Sequence, residues 1–462
     1  MKKILLSLAY LLTVFVGFSQ SPFGAKQNIS TNTGTFPKLI ESGNMDNDSY
    51  PDIVIGTSIG NTIEWYKNNG NGTFSAQPLI TANLSMISGL VLADLDGDND
   101  KDIVASSETM NKLVWFENLG NGNFGSEQII ANGLARAGSV KAGDINGDGY
   151  IDLAVAVQDN HQAVWYANNG SGFFGAANII SNISNSAPAC LDLGDYDQDG
   201  DLDIVIGYRQ IPSVKLFNNN LAQTNTPTFT SETNNVSSGN YFLTDVSFGD
   251  IDNNGDLEIV KVDAYSNAAV YDKQSNGTFS ETIYSNSNSS SYTAIARVSD
   301  LDDNSINDIA FGYSGSNTTD AVTWFENSNP NSEIVIDNSQ NDVFSFTLSD
   351  FDNDGDLDMA TISSSENHLN WFENNTYSST LSNETHNITD FSIFPNPTKD
   401  VLNIKTASTT PITVNVYNVL GQQVITKEIT TTHGKLDVSN LKNGVYMLTM
   451  KDYNYTFKFI KN

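Results

Sequence analysis

Asp195-Tyr196-Asp197-Gln198-Asp199-Gly200-Asp201-Leu202-Asp203 runs straight into Ile204-Val205-Ile206, and this stretch decides how the chain is read. Carboxylates stand at positions 1, 3, 5 and 9 of a nine-residue loop. Alternate spacing in a tight loop lets the side chains at 1, 3 and 5 converge on one point, and the glycine at position 6 allows a sharp turn. Oxygen ligands in that number suit a hard cation such as Ca²⁺. The start is EF-hand-like, but an EF-hand closes with Glu at position 12 and is flanked by helices. Here the closing acid comes at position 9 and a β-branched run follows at once.

Seven such loops occur, starting at Asn44, Asp94, Asp144, Asp195, Asp250, Asp300 and Asp350, in steps of 50, 50, 51, 55, 50 and 50 residues. A period of this size built from short strands indicates a propeller or array. The expected metal ligands are Asn44, Asp46, Asp48 and Asp52; Asp94, Asp96, Asp98 and Asp102; Asp144, Asn146, Asp148 and Asp152; Asp195, Asp197, Asp199 and Asp203; Asp250, Asp252, Asn254 and Glu258; Asp300, Asp302, Asn304 and Asp308; Asp350, Asp352, Asp354 and Asp358. Up to seven structural Ca²⁺ ions are therefore expected. The first loop begins with Asn44 and the sixth has Ser305 where most have glycine, so these two are expected to bind most weakly.

A complete repeat reads as four strands: one before the acidic loop, one after it, a third carrying an aromatic such as Trp165, and a fourth after an Asn-Gly turn such as Asn169-Gly170. Trp65, Trp115, Trp165 and Trp371 each lie 21 residues after the first residue of their loop. They are expected to pack one repeat against the next, with a sugar-stacking ring of indoles as the other reading. The segment Pro22 to Ile29 looks like the end of a repeat, and the seventh repeat lacks its end. The N-terminal segment is therefore expected to complete the last sheet and close the ring, which removes exposed edges.

The chain has 462 residues and a formal net charge of −32. Of its 54 acids, 24 occupy positions 1, 3, 5 or 9 of the loops, so metal ligation accounts for much of the charge. The remaining acidity argues against nucleic acid and anionic membranes as partners. Lys2 and Lys3 followed by the apolar run Ile4 to Val16 read as a secretory signal. No later run is long enough to span a bilayer, so no transmembrane segment is expected in the mature chain. Cys190 is the single cysteine, which leaves bound metal as the available staple.

The expected organisation is a signal peptide at 1–20, a seven-bladed propeller at 21–375, a linker at 376–389 and a further domain at 390–462. In that last segment, alternating strands around Val401-Leu402-Asn403-Ile404 and Val414-Asn415-Val416-Tyr417 suit a small β-sandwich. The expected fold class is thus all-β, a seven-bladed β-propeller followed by a small C-terminal β-sandwich.

Topology assigns the acidic loops and the Asn-Gly turns to one face of the propeller. The opposite face carries the segments that differ between repeats, where binding is expected. Arg136, His161, Arg209, Tyr241, Tyr292 and His368 are its candidate ligand-binding residues.

Residues 22–375 resemble the FG-GAP/VCBS family of calcium-binding propeller repeats, also found in the integrin α-subunit head. The likeness rests on the acidic loops and on Phe124-Gly125 and Phe174-Gly175. It implies Ca²⁺ at loop positions 1, 3, 5 and 9 with a carbonyl at 7, and no single activity. Residues 390–462 resemble the C-terminal sorting domain of the Bacteroidetes type IX secretion system. The matching elements are Phe394-Pro395-Asn396-Pro397-Thr398, Val416-Tyr417-Asn418-Val419-Leu420-Gly421 and Leu441-Lys442-Asn443-Gly444-Val445-Tyr446. That likeness implies export to the medium or the outer cell surface, with the secretion machinery as a partner.

The leading functional expectation is a monomeric, non-enzymatic protein that binds an extracellular glycan or protein. The alternative is a polysaccharide-active enzyme of lyase or dehydratase type. No compact catalytic set supports that alternative, since His161 and His368 fall in repeats that are not neighbours.

Overall fold

The computed structural model describes residues 21–462 except 212–213, 238–242, 264–266, 286–291, 316–321, 377–390, 407–411, 419–421, 431–432 and 451–454. The expected signal peptide, Tyr241 and nearly all of the expected linker lie outside these residues. The chain divides into two compact units, Met1–Ser379 and Thr380–Asn462.

The first unit holds seven four-stranded antiparallel sheets among the described residues. The first sheet runs Pro37–Gly43, Asp52–Thr57, Ile63–Asn68 and Phe74–Ala76 in simple meander order. The inner strands of the others are Ile87–Ala93, Ala137–Gly143, Pro188–Gly194, Leu243–Gly249, Tyr292–Ser299 and Ser345–Ser349. Each inner strand lies beside the next, and the last lies beside Pro37–Gly43, so the sheets form a closed ring. Closure of the seventh sheet is made by the N-terminal strand Gln27–Ser30, which pairs with His368–Phe372 in the register Gln27↔Trp371 and Asn28↔Asn370. The remaining edge of that sheet is thereby paired rather than left as a template for association.

The hydrophobic core lies between successive sheets. The second strand of each repeat has neighbours on both faces, which is why Asp52–Thr57, Asp102–Ser107, Asp152–Val157 and Asp203–Tyr208 are buried along their whole length. Both-face burial selects continuous β-branched runs rather than alternation. The five tryptophans belong to this inter-sheet core. All are buried, with Trp65, Trp115 and Trp371 at 5%, 4% and 3% exposure, so none offers a surface on which a sugar could stack. Trp65 meets Phe124 of the next sheet edge-on, ring centroids 5.9 Å apart. The second glycine of the following Leu119-Gly120-Asn121-Gly122 turn is forced twice over. Gly122 adopts φ +70°, and a Cβ there would stand 1.9 Å from the Trp65 ring.

The second unit consists of a three-stranded sheet (Phe391–Phe394, Val401–Thr406, His433–Asp437) and a four-stranded sheet (Gln423–Ile429, Ile412–Asn418, Gly444–Met450, Tyr455–Lys461). Leu402, Ile404, Val414, Val416, Leu436, Leu448 and Phe459 form its core.

Candidate functional site

The acidic loops connect the first and second strands of each sheet. Their position-9 carboxylate is the structural keystone. In the seventh loop, Asp358 is fully buried and accepts the backbone N–H of Phe351 at 2.9 Å and of Asn374 at 2.7 Å. Asp102 does the same with Leu95 at 3.0 Å and Asn118 at 2.8 Å. This residue therefore ties the loop to the end of the third strand.

An asparagine at that strand end reaches across to the neighbouring sheet. Asn118 Nδ2 donates to the carbonyl of Met45 at 2.9 Å, Asn168 Nδ2 to Leu95 at 2.7 Å and Asn68 Nδ2 to Phe351 at 2.7 Å. These asparagines were not singled out in the sequence. Their constant place at the end of the aromatic strand is the signal that marks them.

Five loops bring three carboxylates together with ligand atoms within 4.8 Å of one another: Asp94, Asp96 and Asp102; Asp195, Asp197 and Asp199; Asp250, Asp252 and Glu258; Asp300, Asp302 and Asp308; Asp350, Asp352 and Asp358. One carboxylate oxygen each of Asp195, Asp250, Asp352 and Asp354 is shut from solvent without a hydrogen-bond partner. An orphaned buried carboxylate oxygen is costly unless something positive meets it.

The proton affinities report the same tension. Burial, then the charges of Asp352 and Asp356, push Asp358 up to about 8 against the pull of its backbone N–H partners. Burial likewise raises Asp102, Asp203, Glu258 and Asp308 to about 7. Clustered, partly desolvated oxygen ligands of this kind fit a hard divalent cation. When bound, such an ion supplies positive charge that relieves the repulsion and cross-links the loop.

The sixth loop converges although Ser305 replaces glycine. Ser305 adopts φ +67°, and its N–H reaches Asp300 Oδ2 at 2.7 Å, the contact that Gly355 makes to Asp350 at 3.0 Å. The third loop has Asn146 at position 3, which accepts the N–H of Asp148 at 2.9 Å, the same contact that Asp252 makes with Asn254 at 3.1 Å in the fifth loop.

The first loop does not fit a divalent ion. Lys67, on the third strand of the same sheet, places its ammonium on Asp46 and lies 3.0 Å from Asp48. Asn44 turns its amide to the carbonyl of Asp48, and Ser49 lacks the left-handed backbone found at position 6 of the other six loops. Burial would raise Asp48, but the Tyr50 N–H and Lys67 outweigh it and hold its carboxyl below the usual range. The equivalent residues of the second and seventh repeats are Glu117 and Glu373, which add negative charge near Asp96 and Asp352.

On the opposite face, Arg136 donates through Nε to Glu108 at 2.9 Å and lies 3.7 Å from Asp159. Arg209 donates to Gln158 Oε1 at 3.1 Å. His161 has φ +56° and a buried Nδ1 without a partner. His368 Nδ1 lies 3.8 Å from Glu366 in the seventh sheet. Tyr292 opens the inner strand of the sixth sheet, and its side chain is outside the described residues.

Arg209, Gln158 and Glu108 line a cavity of about 350 Å³ bounded by residues of all seven inner strands. Deeper in it, Lys141 pairs with Asp192 at 3.0 Å and Arg297 with Asp245 at 3.2 Å. Of the predicted ligand residues whose side chains are described, only Arg209 lines this cavity. The sequence reading missed Lys38, Glu41, Lys141, Asp245 and Arg297. Their signal is a charged side chain inside an inner strand, where a purely structural strand would be apolar or small. Cys190 also lines the cavity, and burial pushes its thiol far above the ordinary range, which leaves it unreactive.

Comparison with known families matches the FG-GAP-like repeat at residues 44–105, 94–155 and 144–206, and the secretion system C-terminal sorting domain at 392–462. The chain carries FG-GAP-like repeats over residues 44–206 and a type IX sorting domain at 392–462. The sorting domain marks the protein as one secreted from, or held on the outer surface of, a Bacteroidetes cell. Among the described residues no helix is long and apolar enough to cross a membrane.

No curated protein matches the sequence. Solved structures do resemble it. BBS1N, crystallised with ARL6DN, aligns at 13% identity and TM-score 0.52 over 77% of this chain and 98% of its own. Virginiamycin B lyase from Staphylococcus aureus aligns at 13% and 0.52 over 76% and 99%. An Agrocybe aegerita lectin that recognises non-reducing terminal N-acetylglucosamine aligns at 18% and 0.48 over 66% and 81%. At 13% identity the first two speak to the propeller fold alone.

Proposed function

We propose that this protein is a calcium-stabilised binding protein, monomeric and non-enzymatic, that recognises an extracellular glycan or protein with the face opposite its acidic loops. The reading includes removal of an N-terminal signal at about residue 20, a propeller over 21–375 and a linker over 376–389. Calcium belongs to the scaffold in this reading. Five converging acidic clusters sit on the repetitive face, far from the segments that vary.

The observation that carries the proposal is the cavity that opens among variable residues Glu108, Gln158 and Arg209 and is lined by every inner strand. A concave polar site on a rigid ring is where a ligand is expected. Binding of the full chain, with Ca²⁺, to arrays of polysaccharides and extracellular proteins tests it. Selective retention on one class is the expected result. A folded protein that retains nothing from either array would remove the reading. Slow cleavage of a retained glycan would replace it with the enzymatic one.

A further inference from the structure

Two charged groups in the central cavity stand apart from the others. Lys141, Asp192, Asp245 and Arg297 are paired with one another, and Glu108 is paired with Arg136. Lys38 and Glu41, both on the inner strand Pro37–Gly43, have no hydrogen-bond or ion-pair partner among the described residues, yet both line the cavity.

They lie at different depths. Lys38 is near the start of its strand, at the end of the ring that carries the variable loops. Arg209, just past the strand Asp203–Tyr208, is at the same end. Glu41 lies one turn of the pleat deeper, towards the Lys141 and Arg297 level. Lys38 is thus flanked by a second cation, and the nearest anion acting on it, Glu108, is already engaged by Arg136. Burial, then the Arg209 charge, pull its proton affinity down against the opposing charge of Glu108.

Between aliphatic residues such as Leu39, Val140 and Ile295, the lining residues Ser139, Gln158 and Thr244 supply hydroxyl and amide groups. At the rim, Phe344 packs against Phe36 with centroids 5.6 Å apart and gives the mouth one apolar wall. A volume of about 350 Å³ is at the small end of ligand sites and admits a terminal unit rather than a polymer segment.

We propose that this cavity binds a uronic acid unit at the end of an acidic glycan, with its carboxylate on Lys38 and Arg209 and a ring hydroxyl donating to Glu41. The inference rests on the glycan-binding reading above and narrows it to a carboxylate-bearing sugar. A carboxylate is the group that completes a paired cation site. A hydroxyl-rich ring suits the unpartnered acceptor and the hydroxyls beneath it. An acidic peptide would leave Glu41 facing further negative charge.

Titration calorimetry on the full chain with Ca²⁺ tests the proposal with three probes: a glucuronate-terminated oligosaccharide, its glucose-terminated counterpart, and an Asp-rich peptide of similar length. The glucuronate probe is expected to bind at least about ten-fold more tightly than the glucose probe, the scale of one charge-assisted hydrogen bond. Lys38→Met should remove that preference, and Lys38→Arg should restore most of it, which separates loss of charge from loss of fold. Equal binding of the two sugars would overturn the uronate assignment while leaving a glycan-binding protein. Peptide binding that depends on Lys38, without sugar binding, would overturn it in favour of a protein partner. Binding of none of the probes by a protein with an intact melting transition would overturn it outright.

Discussion

The loop that starts at Asn44 and the loop that starts at Asp350 lie on neighbouring sheets, yet they neutralise their carboxylates by opposite means. In the first, Lys67 supplies a tethered ammonium to Asp46 and Asp48. In the seventh, the same strand position is Glu373, and Asp352 is pushed up to about 6 by burial, then by Asp354, Glu373 and Asp350. A lysine delivers one charge permanently, at a cost in side-chain freedom. A carboxylate cluster leaves the charge to be imported, so its stability depends on what the solvent contains. The comparison teaches that a repeated loop motif need not mean a repeated ion.

The largest expected effect comes from removing divalent ions. A site held at one hundred times its dissociation constant contributes about 2.7 kcal/mol, and several sites lose that together. Chelator should therefore lower the melting temperature by roughly 10 °C or more. An unchanged thermal melt would break the comparison at its root.

The next expected effect is a pH dependence that exists only in chelator. The position-9 acids have folded-state values raised to about 6 to 8, so the metal-free fold holds their protons more tightly than the unfolded chain does. Their ionisation therefore opposes folding. The metal-free protein should lose stability as pH rises from about 5 to 8, and Ca²⁺ should flatten the profile. A metal-free melting temperature that climbs over that interval would contradict the carboxylate account.

Substituting the keystone comes third. Asp358→Ala leaves two buried N–H groups unmet, and denaturant unfolding should show a loss of about 2–4 kcal/mol. Lys67→Met should cost less, about 1 kcal/mol without calcium, because the pair is partly solvated. Its sharper readout is stoichiometry, since the variant should gain sensitivity of the first loop to calcium. Glu373→Lys is the mirror experiment, and equilibrium dialysis should find one bound ion fewer. No change in bound calcium for either variant would show that the third-strand residue does not decide occupancy.

The repeat was legible because its signals are local. The acidic loops, the Asn-Gly turns and the tryptophan spacing all sit within one repeat, and a missing half-repeat at each end of the ring exposed the closing strand. What decides occupancy was harder to see. Lys67 follows its loop by a whole strand, at a position that varies from repeat to repeat (Glu117, Ala167, Asn218, Lys273, Glu373), and Lys273 at the same place in the fifth repeat turns to Glu232 instead of to its own loop. Ser305 looked defective, but it accepts the left-handed backbone that its loop requires. The cavity was least legible of all. Its lining is drawn one to four residues at a time from seven strands, and only closure of the ring brings Lys38 beside Arg209.

The pairing of Gln27–Ser30 with His368–Phe372 also has a bearing on timing. A ring latched by its own two ends cannot be finished by its front part. While the chain emerges from the ribosome, the latch strand has no partner until the seventh repeat has been made. Up to that moment the propeller lacks its last inter-sheet seam, and such long-range pairing is slow to form. For an exported chain that delay is useful, because a polypeptide must pass the inner membrane before it locks.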